Sequence, residues 1–481
     1  MRNTGSALAG LATLSLALAG CGKVDPVHHL PPQVAPGGCD EIITFGARLP
    51  LPQSSLEGPP QPGAEEAWQT DPRSDPVGLK LLDALGQTPT YEESMVPGQQ
   101  AVSESVLILS GGSQQGAFGA GFMSAWEQHR GGSLPRFKLV TGISTGALQA
   151  TFAFLGDTKT IVEEYSITSE KELLKPLVPG KFEQKPIRAA LSLTTEGTIA
   201  RLEPLREELK RLINQATLEK VAAEKAQGRT LLVGAVEMGS GEMAVFDLTK
   251  AAALYVENLT SNPDRAKQMR GCYIEALLAS SSVPMSADPV FIDNRLYIDG
   301  GARFGVLVDL TANAFKQKVA EAKALERAAD VPRNLFLIVN ATLEVPAFCG
   351  LSKCPVGADG KPETPPPGTP HPKWTFLQLA QRTVSVMTNQ AYRSSVFIAD
   401  QQHGTEEFDT SFVRLEPEHL RYETAIDFPG AGQEEKICYQ WQRDDEAIDN
   451  PKEFFPRYMR CLIAYGKQHP EAAKFAAAEP R

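Results

Sequence analysis

Residues 137–155, FKLVTGISTGALQATFAFL, constrain the fold more than any other stretch of the chain. Phe137, Leu139 and Val140 form a short apolar run that reads as a buried strand. Gly142-Ile143-Ser144-Thr145-Gly146 breaks it, and Ala147, Leu148, Ala150, Phe152 and Leu155 then follow a helix-compatible pattern. Strand, sharp turn and helix around a serine is the context that projects a hydroxyl out of the turn. Gly142 and Gly146 lack Cβ atoms, so strand and helix can close tightly around Ser144. The N–H of Thr145, at the helix start, points toward negative charge forming beside Ser144. A plain glycine-rich turn would show the same five residues, so the neighbouring segments decide the reading.

The same unit occurs one step earlier. Residues 105–109 (SVLIL) read as a buried strand that runs into Ser110-Gly111-Gly112-Ser113-Gln114-Gln115-Gly116 and then into the helical AFGAGFMSAWEQH. A glycine turn that opens a helix presents backbone N–H groups to an anion. Nucleotide binding is the rival reading, but GGSQQG lacks the G-x-G-x-x-G spacing and no Lys-Ser/Thr pair follows Gly116. Further along, 158–226 reads as mainly helical, with Leu205, Leu209, Leu212 and Ile213 on one core-facing stripe. Residues 230–236 and 242–247 form a hairpin through Gly239-Ser240-Gly241. A short helix is expected at 274–280, a brief strand at 296–298 ending in Asp299-Gly300-Gly301, and a buried strand at 335–339. Residues 374–400 read as a long helix, 411–415 as an edge strand and 454–477 as a closing helix.

The N-terminus has its own logic. Arg2 precedes an Ala/Leu-rich run at 8–19 that is too short to span a bilayer and reads as a secretory signal, residues 1–20. Leu18-Ala19-Gly20-Cys21 resembles the cleavage box of bacterial lipoproteins, in which Cys21 would be acylated and tie the chain to a membrane. Gly22 in the next position favours the outer membrane, on its periplasmic face. Residues 21–100, rich in Pro and Gly, read as a tether whose one helix-like piece is 77–85, and 345–373 as a Pro-rich insertion in a domain spanning 101–470. The formal charge of −11 argues against a nucleic-acid partner.

With Cys21 set aside, six cysteines remain, an even number that fits disulfides in an oxidising compartment. Cys349–Cys354 is the first expectation and Cys438–Cys461 the second, with Cys39 and Cys272 left as remainder. No C-x-x-C or H-x₃-H spacing supports a metal, and no cofactor is expected. The seven histidines are scattered, and His129 suits the C-terminal end of its helix as a structural residue.

In a mostly parallel α/β sheet the turns at the carboxyl ends of strands meet in one crevice. That brings together Gly111-Gly112-Ser113, Ser144 and Asp299. A serine hydroxyl is a weak nucleophile until a base takes its proton, and Asp299 can be that base. Asp288, Asp293 and Asp309 compete on residue type, with the last two read as solvated carboxylates. The strings LILSGGSQQGAFGAGF, VTGISTGALQA and ASSSVPMSADPVFIDNRLYIDGG, in this order, resemble the three motif blocks of patatin-like phospholipases. VGAVEMGSGEMAVFD is similar to the hairpin between that family's second and third blocks. The resemblance covers roughly 105–310 and implies a three-layer α/β/α sandwich with a mostly parallel sheet, lipid acyl hydrolase activity and a Ser–Asp dyad without histidine. It makes Ser144 the nucleophile, Asp299 the base and the Gly111–Ser113 turn the oxyanion hole, to which the Thr145 N–H at its helix start is added as a donor. Gly116, Gly142, Gly146, Gly300 and Gly301 then stand as motif glycines, and a phospholipid or other lipid ester as the substrate. The chain departs from the family pattern in three places: Ser113 replaces a glycine, Gln115 an Arg or Lys, and Phe304-Gly305 follow where Asn is frequent. An inactive lipid-binding or envelope-interaction module on the same fold is the alternative.

Overall fold

The structure, a computed structural model, describes residues 37–46, 75–86, 102–177, 198–324, 334–345, 348–349, 352–353, 363, 373–374, 376–402 and 409–478. The signal-like segment, Cys21 and most of the 345–373 insertion lie outside them. A nine-stranded sheet comprises β1 (Ile43–Phe45), β2 (Ser103–Leu109), β3 (Phe137–Ile143), β4 (Thr230–Glu237), β5 (Met243–Asp247), β6 (Val290–Ile292), β7 (Arg295–Asp299), β8 (Asn334–Val339) and β9 (Asp409–Arg414). Its order is β1-β5-β4-β3-β2-β8-β9, with β7 paired to β4 and β6 to β7. The run from β4 through β3, β2 and β8 to β9 is parallel throughout.

Thirteen helices are labelled here among the described residues: α1 (Pro76–Gly86), α2 (Gly116–His129), α3 (Thr145–Leu155), α4 (Thr158–Glu164), α5 (Glu203–Leu212), α6 (Gln215–Ala226), α7 (Leu248–Asn258), α8 (Pro263–Ser281), α9 (Val308–Ala324), α10 (Phe376–Gln402), α11 (Cys438–Ile448), α12 (Pro456–Lys467) and α13 (Glu471–Ala478). The strand sequences place them in layers, because successive strand side chains point to opposite faces. On β8, Phe336 and Ile338 join the larger core with α2, α3, α8 and α12. Leu335, Leu337 and Val339 of the same strand join the smaller core with α1, α9 and Val396 of α10. β2 alternates in the same sense, Leu107 and Leu109 against Val106 and Ile108. Both faces are therefore covered, which is why residues 106–109 of β2 and 335–339 of β8 are apolar at every position. The architecture is α/β, a three-layer sandwich about a mostly parallel central run.

Several elements differ from the sequence reading. Within the span read as a tether, β1 pairs with β5, and α1 buries Val77, Leu81 and Leu85. Two further ties hold this region: Asp293 accepts the Gly38 and Cys39 N–H groups at 2.8 and 2.7 Å, and Cys39 is bonded to Cys272. The cysteine pair left as remainder is thus a formed disulfide, and Asp293 is an anchor rather than a solvated carboxylate. Cys438–Cys461 is formed as expected, whereas Cys354 and the Cys349 side chain lie outside the described residues. α8 is much longer than the expected helix at 274–280, since Asn262 caps it and Pro263 starts it. The closing helix is two, α12 and α13, separated around His469-Pro470 because proline ends a helix.

α2 is the central helix of the larger core, and α12 crosses it closely. Trp126 packs on Phe137, Phe336 and Phe475. A Cβ at Gly466 of α12 would overlap the Phe118 carbonyl oxygen and lie 2.7 Å from the Phe122 nitrogen, so the two backbones touch there. Gly466→Ala should lower unfolding stability by about 1–3 kcal/mol, as overpacked cores do. The helix-propensity gain of up to about 1 kcal/mol does not offset that. Urea midpoints decide the point, and a wild-type midpoint for the variant contradicts the backbone contact.

Candidate active site

The site is assembled along one edge of β4. β3 pairs with that strand as far as Ile143, opposite Gly234, and there the chain turns away. Ser144 carries φ 55° and ψ −125°, backbone angles that non-glycine residues adopt only when the surroundings enforce them. The enforcing contacts are specific. The Ser144 N–H donates to Ser280 Oγ at 3.0 Å, and the Ser280 hydroxyl donates to the Gly234 carbonyl at 2.6 Å. The Ser281 hydroxyl donates to the Ser144 carbonyl at 3.2 Å. A Cβ at Gly142 would stand 2.7 Å from the carbonyl carbon of Gly146, so the elbow closes only with glycine at its foot.

β7 supplies Asp299, but not as a parallel strand. It runs antiparallel to β4 and pairs Asp299 with Ala235, the position next to Gly234. The two candidate residues therefore occupy consecutive stations on one strand, Ser144 leaving where Asp299 arrives. Both are buried at 4% exposure, and the Asp299 carboxylate accepts from the Ser144 side chain and from the Gly301 N–H, the latter at 2.6 Å. Burial pushes the Asp299 carboxyl up to about 7, and the nearby Glu453 charge adds to the rise. The two donated hydrogen bonds oppose it by favouring the ionised form.

The turn after β2 faces the same point. Gly112 has φ 150° and Ser113 φ 51°, and the Ser113 hydroxyl donates to Glu453 at 2.5 Å. Ser113 thus keeps a left-handed backbone where the family pattern has glycine, and its side chain is tied down. Among the described residues, no acceptor engages the N–H groups of Gly111, Gly112 or Ser113. Thr145 begins α3, whose first amides have no partner within the helix. Gly116 opens α2 against Thr145, and a Cβ there would overlap the Thr145 hydroxyl. Gly146 sits so close under β2 that a Cβ would stand 2.6 Å from the Ser110 carbonyl oxygen. Gly300 is likewise closed in, with the Gly234 carbonyl 2.7 Å from where its Cβ would be.

The remaining candidates fall outside this cluster. Gln115 is hydrogen-bonded to Tyr458, which in turn meets His419 Nε2 at 2.7 Å. Burial holds that imidazole down to about 4, so it is neutral at pH 7. Asp288 accepts the Leu202 N–H at 2.9 Å, and the Asp309 side chain lies outside the described residues. His129 ends α2, while His371 and His403 lie outside the described residues. Three residues at the site escaped sequence reasoning. Ser280 sits in the quoted ASSS string without an assigned part, and Glu453 and Tyr392 lie in segments with no local motif. Tyr392, on α10, packs its hydroxyl against Gly111 and Gly301.

A cavity opens at Ser144. Leu148, Phe152, Leu205, Leu209, Ile213 and Leu277 line it, which accounts for the apolar stripe read on α5. Its charged lining residues, Glu164, Glu208 and Glu453, are all acidic. Such a wall accepts a hydrocarbon chain and disfavours an anionic group inside it. No group of metal-ligating side chains occurs among the described residues.

Residues 107–312 match the model of the Patatin-like phospholipase family. No curated protein matches the chain. Among solved structures, VipD from Legionella pneumophila aligns over 66% of this chain and 70% of its own, at 16% identity and a TM-score of 0.24.

The raised carboxyl has a measurable consequence for stability. Between its ordinary value near 3.8 and about 7, Asp299 holds a proton in the folded chain that it has lost in the unfolded one. Stability from this residue is therefore fully present below that window and declines as pH rises through it. Asp299→Asn should gain on wild type in urea midpoint from pH 4 to pH 8. A difference between the two proteins that is flat, or of opposite slope, contradicts the buried, raised carboxyl.

Proposed function

We propose that this chain, which carries a patatin-like phospholipase domain and so belongs with a lipid acyl hydrolase family, is a serine esterase acting on lipid esters through a Ser–Asp dyad. The observation that carries the reading is the Ser144–Asp299 hydrogen bond at the mouth of an apolar cavity. Ser144 Oγ attacks the ester carbonyl carbon while its proton passes to Asp299. The amides of Gly111–Ser113 and Thr145 donate to the oxygen that gains negative charge. When the intermediate collapses, the departing alcohol takes the proton from Asp299 and the acyl group stays on Ser144. Water, deprotonated by the same carboxylate, then attacks the acyl carbon, and the Ser144 Oγ–acyl bond breaks to release the fatty acid as Oγ takes its proton back from Asp299.

A base with a pKa near 7 suits this work, since it is ionised at working pH yet returns a proton readily. The acyl chain lies along Leu148, Phe152 and Leu209, and the acidic lining turns a phosphate headgroup outward. Export and anchoring through Cys21 belong to the same proposal. They draw support from the Cys39–Cys272 and Cys438–Cys461 disulfides, since such bonds persist in oxidising compartments. The inactive-module alternative has no observation in its favour, because both dyad residues and their hydrogen bond are retained.

Hydrolysis of a medium-chain p-nitrophenyl ester tests the reading. Ser144→Ala should fall to background, and Asp299→Asn should lose roughly 10²–10⁴-fold in kcat with KM nearly unchanged. His129→Ala and His419→Gln should stay far above Asp299→Asn. Turnover by a folded Ser144→Ala protein at wild-type rate, or a histidine variant as impaired as Asp299→Asn, refutes the dyad.

A further inference from the structure

The space beside the dyad is kept open for one side chain from a distant helix. A Cβ on Gly111 would overlap the Tyr392 hydroxyl while standing 3.0 Å from Ser144 Cβ. A Cβ on Gly301 would stand 2.7 Å from the same hydroxyl and 3.0 Å from Asp299 Oδ1. The phenol oxygen is thus wedged between the two strand-end turns, with Ser144 on one side and Asp299 on the other. Gly305 completes the fit, because a Cβ there would fall 2.5 Å from Tyr392 Cα. Three glycines on two separate turns yield room to a single tyrosine. The Gly305 N–H reaches Ser395 Oγ at 3.4 Å, one turn further along α10, and so helps to seat the helix.

We propose that Tyr392 is a third side chain of the reacting centre, its phenol O–H donating a hydrogen bond to the ester carbonyl oxygen as that oxygen becomes an oxyanion. The inference rests on the acyl-transfer reading of Ser144. The electron balance is that of the dyad reaction: Ser144 Oγ bonds to the carbonyl carbon, the C=O π pair moves to oxygen, and the Ser144 proton goes to Asp299. Tyr392 keeps its own proton throughout and stabilises the new charge. Its protonated state is secure, since burial and the neighbouring Asp299 charge both hold the phenol well above its ordinary value. Gln115, at the position where the family pattern carries a cation, is engaged by Tyr458. A neutral donor is less costly to bury there than a guanidinium, which would bring its own desolvation cost.

Tyr392→Phe in the full chain separates a catalytic phenol from a packing wedge, because the ring stays and only the hydroxyl leaves. Two readouts are needed: kinetics on the p-nitrophenyl ester, and inhibition by an alkyl trifluoromethyl ketone, which forms an oxyanion-like adduct with an active serine. The expected result is a loss of roughly 10²-fold in kcat, the scale of one lost oxyanion donor. KM should stay within about twofold, and affinity for the ketone should fall in proportion to kcat/KM. Unchanged kcat and ketone affinity in a variant with wild-type thermal stability overturn the proposal and leave the dyad standing. So does a change confined to KM, which assigns Tyr392 to ground-state packing. Wild-type turnover by Ser144→Ala is the different failure that removes the parent reading and this one together.

Discussion

Everything at the candidate site depends on how β4 shares one of its edges. β3 occupies that edge up to Gly234, and β7 takes it over in the opposite direction from Ala235. A strand edge offers one row of N–H and C=O groups, so two partners can share it only if the first leaves cleanly where the second arrives. The departure of the first is the Ser144 elbow, and the arrival of the second is Asp299. The serine is therefore set at the end of its strand, and the aspartate is delivered beside it, by one and the same geometric requirement. Ser280 of α8 bolts the junction by bonding both the Ser144 N–H and the Gly234 carbonyl.

The junction also sets the electrostatics. Because both residues lie within the sheet's carboxyl edge under α10, neither carboxylate nor hydroxyl has bulk water to itself. Burial raises the Asp299 carboxyl toward neutrality, and only hydrogen bonds from Ser144 and Gly301 hold its charge. In the proposed reaction the donors to the reacting oxygen are neutral as well, backbone amides and the Tyr392 phenol. In such surroundings each donor counts for more than it would in water, since little solvent screens it. A charged residue at position 115 is absent, and the acidic lining of the cavity disfavours an anionic group there. Strain at Ser144 and Ser113 is part of the same economy, and both are held by named side-chain bonds.

Much of this was legible in the chain. The two strand–glycine–helix units announce their strands through apolar runs and their turns through residues without Cβ, both of which are local signals. Asp299 was also readable, as an aspartate at a strand end followed by two glycines, although the direction of β7 was not. Direction is a tertiary property: three residues of pairing with β4 decide it, and nothing within 295–299 encodes it. The ties of the N-terminal region were unreadable for the same reason. Cys39 meets Cys272, and Asp293 meets Gly38, across long separations in the chain. Tyr392 is the clearest case. It lies on a helix with no motif, and its only trace in the sequence is the set of glycines that make room for it elsewhere.

The central claim is that Ser144 is the one residue whose oxygen becomes bonded to the acyl group. Peptide mapping by mass spectrometry after brief exposure to an alkyl fluorophosphonate, which phosphonylates an activated serine as an ester would acylate it, tests that claim directly. The account predicts a single adduct, on the peptide carrying Ser144, formed in step with the loss of esterase activity. Activity lost with the adduct on another residue, or retained with Ser144 fully modified, would contradict it.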